Sequence, residues 1–355
     1  MKRLKILLSF DHELSLGGAR DYQKNLFTPT YKILDLAHNL DVPITLFTDV
    51  LCAKRFKEWD EKGFFKHYVE QIANALSSDH DVQLHIHPHW IDSGFKGGKF
   101  IPSKNYKLSD FRDHQWPNNI PGIVEQGIDF LREICENHKP DYSCVAYRAG
   151  GYNLAPETEL ILSSLYENGI RIESSVTKGF YFRSRISEVN FRKMPKKANW
   201  FISNKGPIEQ EADSGLYEIP IAGRPRGNIN NLPFLLKRIL YKRRAYESGG
   251  RGIHEGHTSV IEKLRRLFPN SAWTLNFDNY TESVSGLMKI ITYHVNTHQE
   301  DDTIICSTIS HPKSMGEYGL SLMEGFVQKM RQDYGHRVEF CTYQQIYNEL
   351  KLKNI

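Results

Sequence analysis

No run of about 18 apolar residues occurs in the chain, which excludes a transmembrane helix. Cysteine is scarce: Cys52, Cys135, Cys144, Cys306 and Cys341 are odd in number and never close in sequence. That pattern excludes a zinc-finger spacing and a disulfide framework, and it fits a reducing cytoplasm. Charge of one sign is not in excess either. Lys and Arg number 46 against 42 Asp and Glu, a net of +4, with charged residues at 25%. This balance argues against disorder and gives no case for nucleic acid as a partner. Internal repeats, low-complexity stretches and a clean interdomain linker are also lacking. The start, MKRLKILLSF, has an apolar core too short for a signal peptide, and Asp11, His12 and Glu13 follow it at once. It reads as a first strand, and a cytoplasmic protein is expected.

What the chain does have is an α/β rhythm. A length of 355 residues allows two domains or one elaborated barrel. Strands are expected at Lys5 to Phe10, Val42 to Val50, Asp81 to Ile86, Ser143 to Tyr147, Ile170 to Ser175, Leu216 to Ile221, Thr303 to Ile309 and Arg337 to Cys341. Helices are expected at Thr28 to Asn39, Phe64 to Leu76, Ile123 to Asn137, Pro156 to Gly169, His254 to Pro269, Val284 to Val295, Gly319 to Asp333 and Tyr343 to Leu350. Strands separated by helices of this length imply a parallel sheet or barrel. Residues 90 to 121 read as a long loop and 177 to 213 as an irregular excursion. The stretch LPFLLKRILYKRRAY, Leu232 to Tyr246, interleaves apolar residues with Lys237, Arg238, Lys242, Arg243 and Arg244. It is a basic amphipathic helix. It either buries its apolar stripe like any surface helix or lies on a membrane surface or an anionic ligand.

Chemistry-bearing residues cluster where strands are expected to end. In QLHIHPHW, His85, His87 and His89 alternate after an apolar strand, and imidazoles at such an end can converge on one metal. SFDHE places Asp11, His12 and Glu13 after the first strand, offering a metal ligand and a base. YRAGGY offers Arg148 to orient a carboxylate. Its glycines let backbone N–H groups face an oxyanion. ISHP places His311 after a late strand. In parallel α/β folds the C-terminal strand ends hold the active site.

Taken together and in order, these motifs resemble the polysaccharide deacetylase superfamily, the NodB-homology or carbohydrate esterase family 4 group. The resemblance runs from SFDHE to ISHP. The family's first motif, T-F-D-D, corresponds to Ser9-Phe10-Asp11-His12, with Glu13 next. Its second, H-S/T-x-x-H, has the spacing of His85 and His89. Its third, R-x-P-x-G, keeps Arg148 without the prolines, and its late histidine is His311. IRIESSV and LYEIPI look like divergent intracellular members. No good match to the D-x-x-D-W motif is present. Where most members carry a second Asp, this chain has His12. Some members use Asp-x-Asp instead, and strand alternation lets Asp11 and Glu13 share a side while His12 points away.

The resemblance implies a distorted (β/α)7-8 barrel with long loop insertions, one unit over 1–355 with the basic segment inserted around 225–260. It implies a divalent metal, Zn2+ being the ion expected, held by Glu13, His85 and His89, with His12 the alternative to Glu13 as third ligand. Asp11 would be the base, Arg148 its support, His311 the acid, and a backbone N–H near Gly151 an oxyanion donor. Tyr152 and Trp90, with Trp116 and Trp273, are candidates for stacking on a sugar. The activity implied is removal of an N-acetyl or N-formyl group from a sugar in a cytoplasmic glycan or lipid-linked precursor. The basic segment favours the lipid-linked case, with peripheral association at the inner face of the membrane. An allantoinase-like C–N hydrolase and a catalytically inactive glycan-binding barrel are the rival readings.

Overall fold

The computed structural model describes residues 2–15, 21–59, 63–96, 99–101, 103–183, 187–227, 231–246 and 271–353. Among the described residues eight parallel strands form the main sheet: β1 (Arg3–His12), β2 (Ile44–Asp49), β3 (Asp81–Ile86), β4 (Ala146–Ala149), β5 (Ile172–Glu173), β6 (Leu216–Glu218), β7 (Thr303–Ser307) and β8 (Val338–Phe340). Their order is β6-β5-β4-β3-β2-β1-β7, with β8 beside the first half of β1. A ninth strand, Trp200–Ile202, adds antiparallel to β6. The sheet curls on itself. A parallel bridge joins Ile221 to Ser307, and the Ala222 N–H donates to the Ser307 carbonyl at 2.8 Å. β6 and β7 thus meet at a thin seam, and the expected distorted barrel is the architecture found.

The strands form where apolar and β-branched residues run together. β2 and β3 are buried at every position, as expected for a parallel sheet covered by helices. Ile120–Glu136 starts on Asn119, whose side chain accepts from the Gly122 N–H, with Pro121 in the first turn. Val284–Thr297 starts on Ser283 in the same way.

Some elements differ from expectation. β1 runs on to His12, so Asp11 and His12 lie on the strand and Glu13 directly after it. Val50–Trp59 is a helix that the sequence reading passed over, because it follows β2 with no intervening turn signal. The stretch read as a long loop carries a short hairpin, Gly94–Lys96 with Lys99–Ile101. The helix expected from His254 to Pro269 lies outside the described residues.

Outside the barrel wall, Glu173 and Glu218 sit on adjacent strands in register, both fully buried. Burial, then the neighbouring carboxyl, pushes Glu218 well above the ordinary carboxylate range, and burial also raises Glu173. Lys178, over the Trp200 ring, is pushed down to about 8 by burial. A carboxyl raised by folding adds stability that is present below its unfolded value and lost as pH rises through the folded one. The contribution of this pair should therefore fall above about pH 4.3 by up to roughly 1.4 kcal/mol per pH unit for each such proton, against the opposite slope of the buried histidines. Glu218→Gln, neutral at every pH, should flatten that slope, gaining on wild type between pH 5 and pH 8 in urea unfolding. Parallel slopes for the two proteins would refute the protonated pair.

Candidate active site

The C-terminal ends of β1, β3, β4 and β7 bring three groups together. The first is Asp11 with Arg148. Arg148 is fully buried inside the barrel, and its Nη1 donates to Asp11 Oδ1 at 2.8 Å. Its Nη2 reaches Ser9 Oγ at 2.9 Å, Tyr343 OH at 3.1 Å and Ser307 Oγ at 3.2 Å. Its Nε donates to the Ser174 carbonyl at 2.9 Å, and the guanidinium lies 4.1 Å from the Phe47 ring centroid. Every arm of the guanidinium is used, so Asp11 faces a fixed positive charge. Removing one partner of such a buried pair typically costs about 3–5 kcal/mol.

The second group is Glu13, His85 and His87, all buried, whose donor atoms lie within 4.8 Å of one another. His85 Nδ1 donates to the Arg148 carbonyl at 2.8 Å, which turns its Nε2 toward Glu13 Oε2 at 3.1 Å. His87 Nε2 closes on the same oxygen. Lys313 Nζ takes the other oxygen, Oε1, at 2.5 Å. Burial alone would raise Glu13, but the charges of His87 and Lys313 outweigh it and hold the carboxyl well below its usual range. Burial opposes the charged form of His85, yet Asp11, Glu13 and Asp49 push it up to about 9. One carboxylate oxygen facing two buried imidazole nitrogens is a donor set that fits a divalent ion.

Sequence reasoning placed His89 in this set; the geometry brings His87 there instead. β3 ends at Ile86, and His87 is still extended (φ −110°, ψ 96°). Side chains 85 and 87 therefore fall on one side. Pro88 then opens a short turn, Pro88–Trp90, that carries His89 into the core. There its ring lies 4.9 Å from that of Trp90 and 5.4 Å from that of His87. His89 is fully buried, both its ring nitrogens lack partners, and burial pushes it well below the ordinary imidazole value. His12 also turns away. Its nitrogens lie 2.9 Å from Thr48 Oγ1 and Gln71 Oε1, and burial lowers it to about 4.

The third group is His311, whose Nδ1 bonds Asp278 Oδ2 at 2.6 Å. Its Nε2 lies 3.8 Å from Asp11 Oδ2 and 3.6 Å from Glu13 Oε1. Burial would lower His311, but Asp278 outweighs it and the imidazole is raised. Its side chain is 24% exposed against 5% for Asp11, so it stands at the mouth.

The glycines of YRAGGY have a geometric reason. A Cβ on Gly150 would lie 2.5 Å from the Ile86 carbonyl and 2.6 Å from His87 Nδ1, so any side chain there would unseat His87. Gly151 is exposed with φ +61°, and Tyr152 beside it, also at φ +61°, packs on Phe180. Burial, then the charges of Asp11 and Asp278, raise the Tyr152 phenol. Trp90, a stacking candidate from sequence, needs correction. It is fully buried, and its ring N–H is donated to Asp49 Oδ2 at 2.7 Å, so no sugar can reach it. Trp116 is 65% exposed.

Sequence reasoning missed Asp278, Lys313 and Asp49. Lys313 was signalled by its place two residues after His311. Asp278 and Asp49 carry no motif and are found only through their contacts.

No family model and no curated protein matches this chain in sequence. Solved structures do. A Mycobacterium smegmatis protein described as a polysaccharide deacetylase is 13% identical, with 100% of this chain and 92% of that one covered and a TM-score of 0.52. Puue allantoinase is 12% identical, with 97% and 89% covered and a TM-score of 0.50. The fold is the one these two C–N hydrolase structures share, as the motif resemblance implied.

Proposed function

We propose that the chain is a metal-dependent deacetylase that removes the N-acetyl or N-formyl group of a sugar in a cytoplasmic glycan or lipid-linked precursor. The observation that carries this is the placing of Asp11 between the Arg148 guanidinium and the His311 imidazole, beside Glu13, His85 and His87. On this reading the whole of 1–355 is one barrel unit with an insertion around 225–260. Glu13, His85 and His87 would hold the ion, Zn2+ being the choice that best suits two imidazoles and a carboxylate. When bound, such an ion supplies Lewis acidity and a more acidic water.

The chain's own residues do the rest. Asp11 takes the proton of the attacking water through its Oδ2, the oxygen not engaged by Arg148 Nη1. Arg148 holds that carboxylate fixed in rotation. The N–H groups at Gly150 and Gly151 offer donors to the tetrahedral oxyanion. His311 donates a proton from Nε2 to the leaving amine. Asp278 holds its ring by Nδ1 and stabilises the imidazolium before transfer. The products are the free amine and acetate or formate. Tyr152 and the exposed Gly151 edge are proposed to meet the sugar.

The test is release of acid from N-acetylated and N-formylated amino sugars, free and lipid-linked, by protein reconstituted with zinc. Acid release from an amino sugar supports the reading; release of product from allantoin alone would replace it. The second reading, an allantoinase-like hydrolase of a small amide, is favoured by the shared fold and by Lys313. That ammonium can neutralise Glu13 without an ion. A binding barrel without turnover is the reading left if both substrate classes are inert.

A further inference from the structure

The helix Asn231–Leu240 and the turn Lys242–Tyr246 that follows it contain five basic residues and no acidic one. An ordinary surface helix turns its apolar stripe inward. Here the stripe faces out. Leu236 is 55% exposed, Ile239 73% and Leu240 74%, at the i, i+3, i+4 spacing of one helix face. Among the described residues eight large apolar side chains are exposed, and four of them, these three and Tyr241, lie in this one segment. Lys237 and Lys242 are exposed on either flank of the stripe.

The opposite side is tied down. Arg238 Nε donates to Tyr280 OH at 3.1 Å. The Arg244 guanidinium lies 3.9 Å from the Tyr318 ring centroid and 4.0 Å from that of Tyr241. The two body residues are informative. Tyr280 follows Asp278, the partner of His311, by two positions. Tyr318 lies just beyond the His311–Lys313 turn, in the helix Glu317–Tyr334. The segment is therefore anchored on the active-site side of the barrel, with its apolar face pointing away from the protein.

We infer that this face docks on an anionic lipid bilayer and sets the mouth of the site against the membrane surface. Apolar side chains flanked by cations, with no anion among them, match the headgroup boundary of such a bilayer: the stripe enters the acyl region and the cations meet lipid phosphates. A soluble acidic partner would match the charge but not the outward Leu and Ile. A neutral apolar partner would leave the cations unpaired. Docking deepens the reading above by favouring a lipid-linked substrate, and it rests on that reading only there. The docking itself requires no turnover.

The test uses the full chain and sedimentation with vesicles of phosphatidylcholine, with or without phosphatidylglycerol. Wild type should bind the anionic vesicles at low salt and not the neutral ones, and release them in about 1 M salt, where screening acts within about 3 Å. Ile239→Ser with Leu240→Ser, and separately Lys242→Glu with Arg243→Glu, should each cut binding by about tenfold or more. All four are surface positions, and their unfolding midpoints should stay at the wild-type value. Asp11→Asn should bind vesicles like wild type, so failure of docking and failure of the catalytic reading separate. Three results would overturn the inference: no binding to anionic vesicles, equal binding to neutral ones, or binding unchanged by Ile239→Ser with Leu240→Ser. A dimer in light scattering that those two changes dissolve, with no vesicle binding, would assign the face to a second copy instead.

Discussion

Asp11→Asn is expected to lower amide hydrolysis by about a hundredfold to ten-thousandfold, the range for loss of a positioned general base. Bound metal should stay near the wild-type level. The substitution keeps the side chain's shape and its oxygen toward Arg148, so the barrel plug of Ser9, Ser307 and Tyr343 around that guanidinium should survive. What disappears is the proton acceptor. Arg148 is the poorer target for this test, because its loss strands a buried carboxylate and confounds activity with stability. Turnover and metal content measured on the same preparation decide the matter. Near-normal turnover with metal bound would remove Asp11 from the reaction. Loss of both together would assign it to the ion's site.

Metal content gives the second large effect. Wild type purified without a histidine tag should carry about one divalent ion per chain by elemental mass spectrometry. Glu13→Ala, His85→Ala and His87→Ala should each bring it close to zero, since three protein donors are the minimum for a tight site of this kind. His12→Ala should retain the ion, because both its ring nitrogens face Thr48 and Gln71. His89→Ala is the discriminating variant. Full metal in His89→Ala and none in His87→Ala would favour the set the geometry brings together. The reverse would restore the spacing of the family motif and show that the Pro88 turn rearranges on loading. His89→Ala also empties a fully buried position, so its unfolding midpoint should be recorded alongside. A wild type that stays metal-free after reconstitution would move the chain to the metal-independent reading, with Lys313 neutralising Glu13.

Much of this was legible from residue order because strands and chemistry coincide here. An apolar run ending in charged or imidazole residues marks a barrel strand and its active end at once. That is why Asp11, Glu13, His85, Arg148 and His311 stand out before any geometry is known. Strand alternation also held the signal for His87, since it repeats the parity of His85; the motif spacing pointed instead to His89. What decides between them is the turn opened by Pro88, a backbone event that spacing does not encode. Asp278 and Asp49 were illegible for another reason. Asp278 acts through one long-range hydrogen bond and Asp49, at the end of β2, through bonds from His87 and Trp90, and neither partner is marked by a pattern in the sequence. Trp90 shows the converse failure. An aromatic beside a histidine cluster suggests a sugar platform, but the aromatic rings of Phe56 and Phe100 close over it.

The guanidinium of Arg148 has a consequence for the order in which the protein comes into being. The carboxylate of Asp11 is synthesised before the arginine that fixes it, which comes 137 residues later. The hydroxyl of Tyr343, which completes that arginine's shell, comes 195 residues later again. Asp11 therefore has no Arg148 to hold it until those 137 residues have been made. The site is assembled only when the closing helix, Tyr343–Lys353, has folded back beneath the barrel.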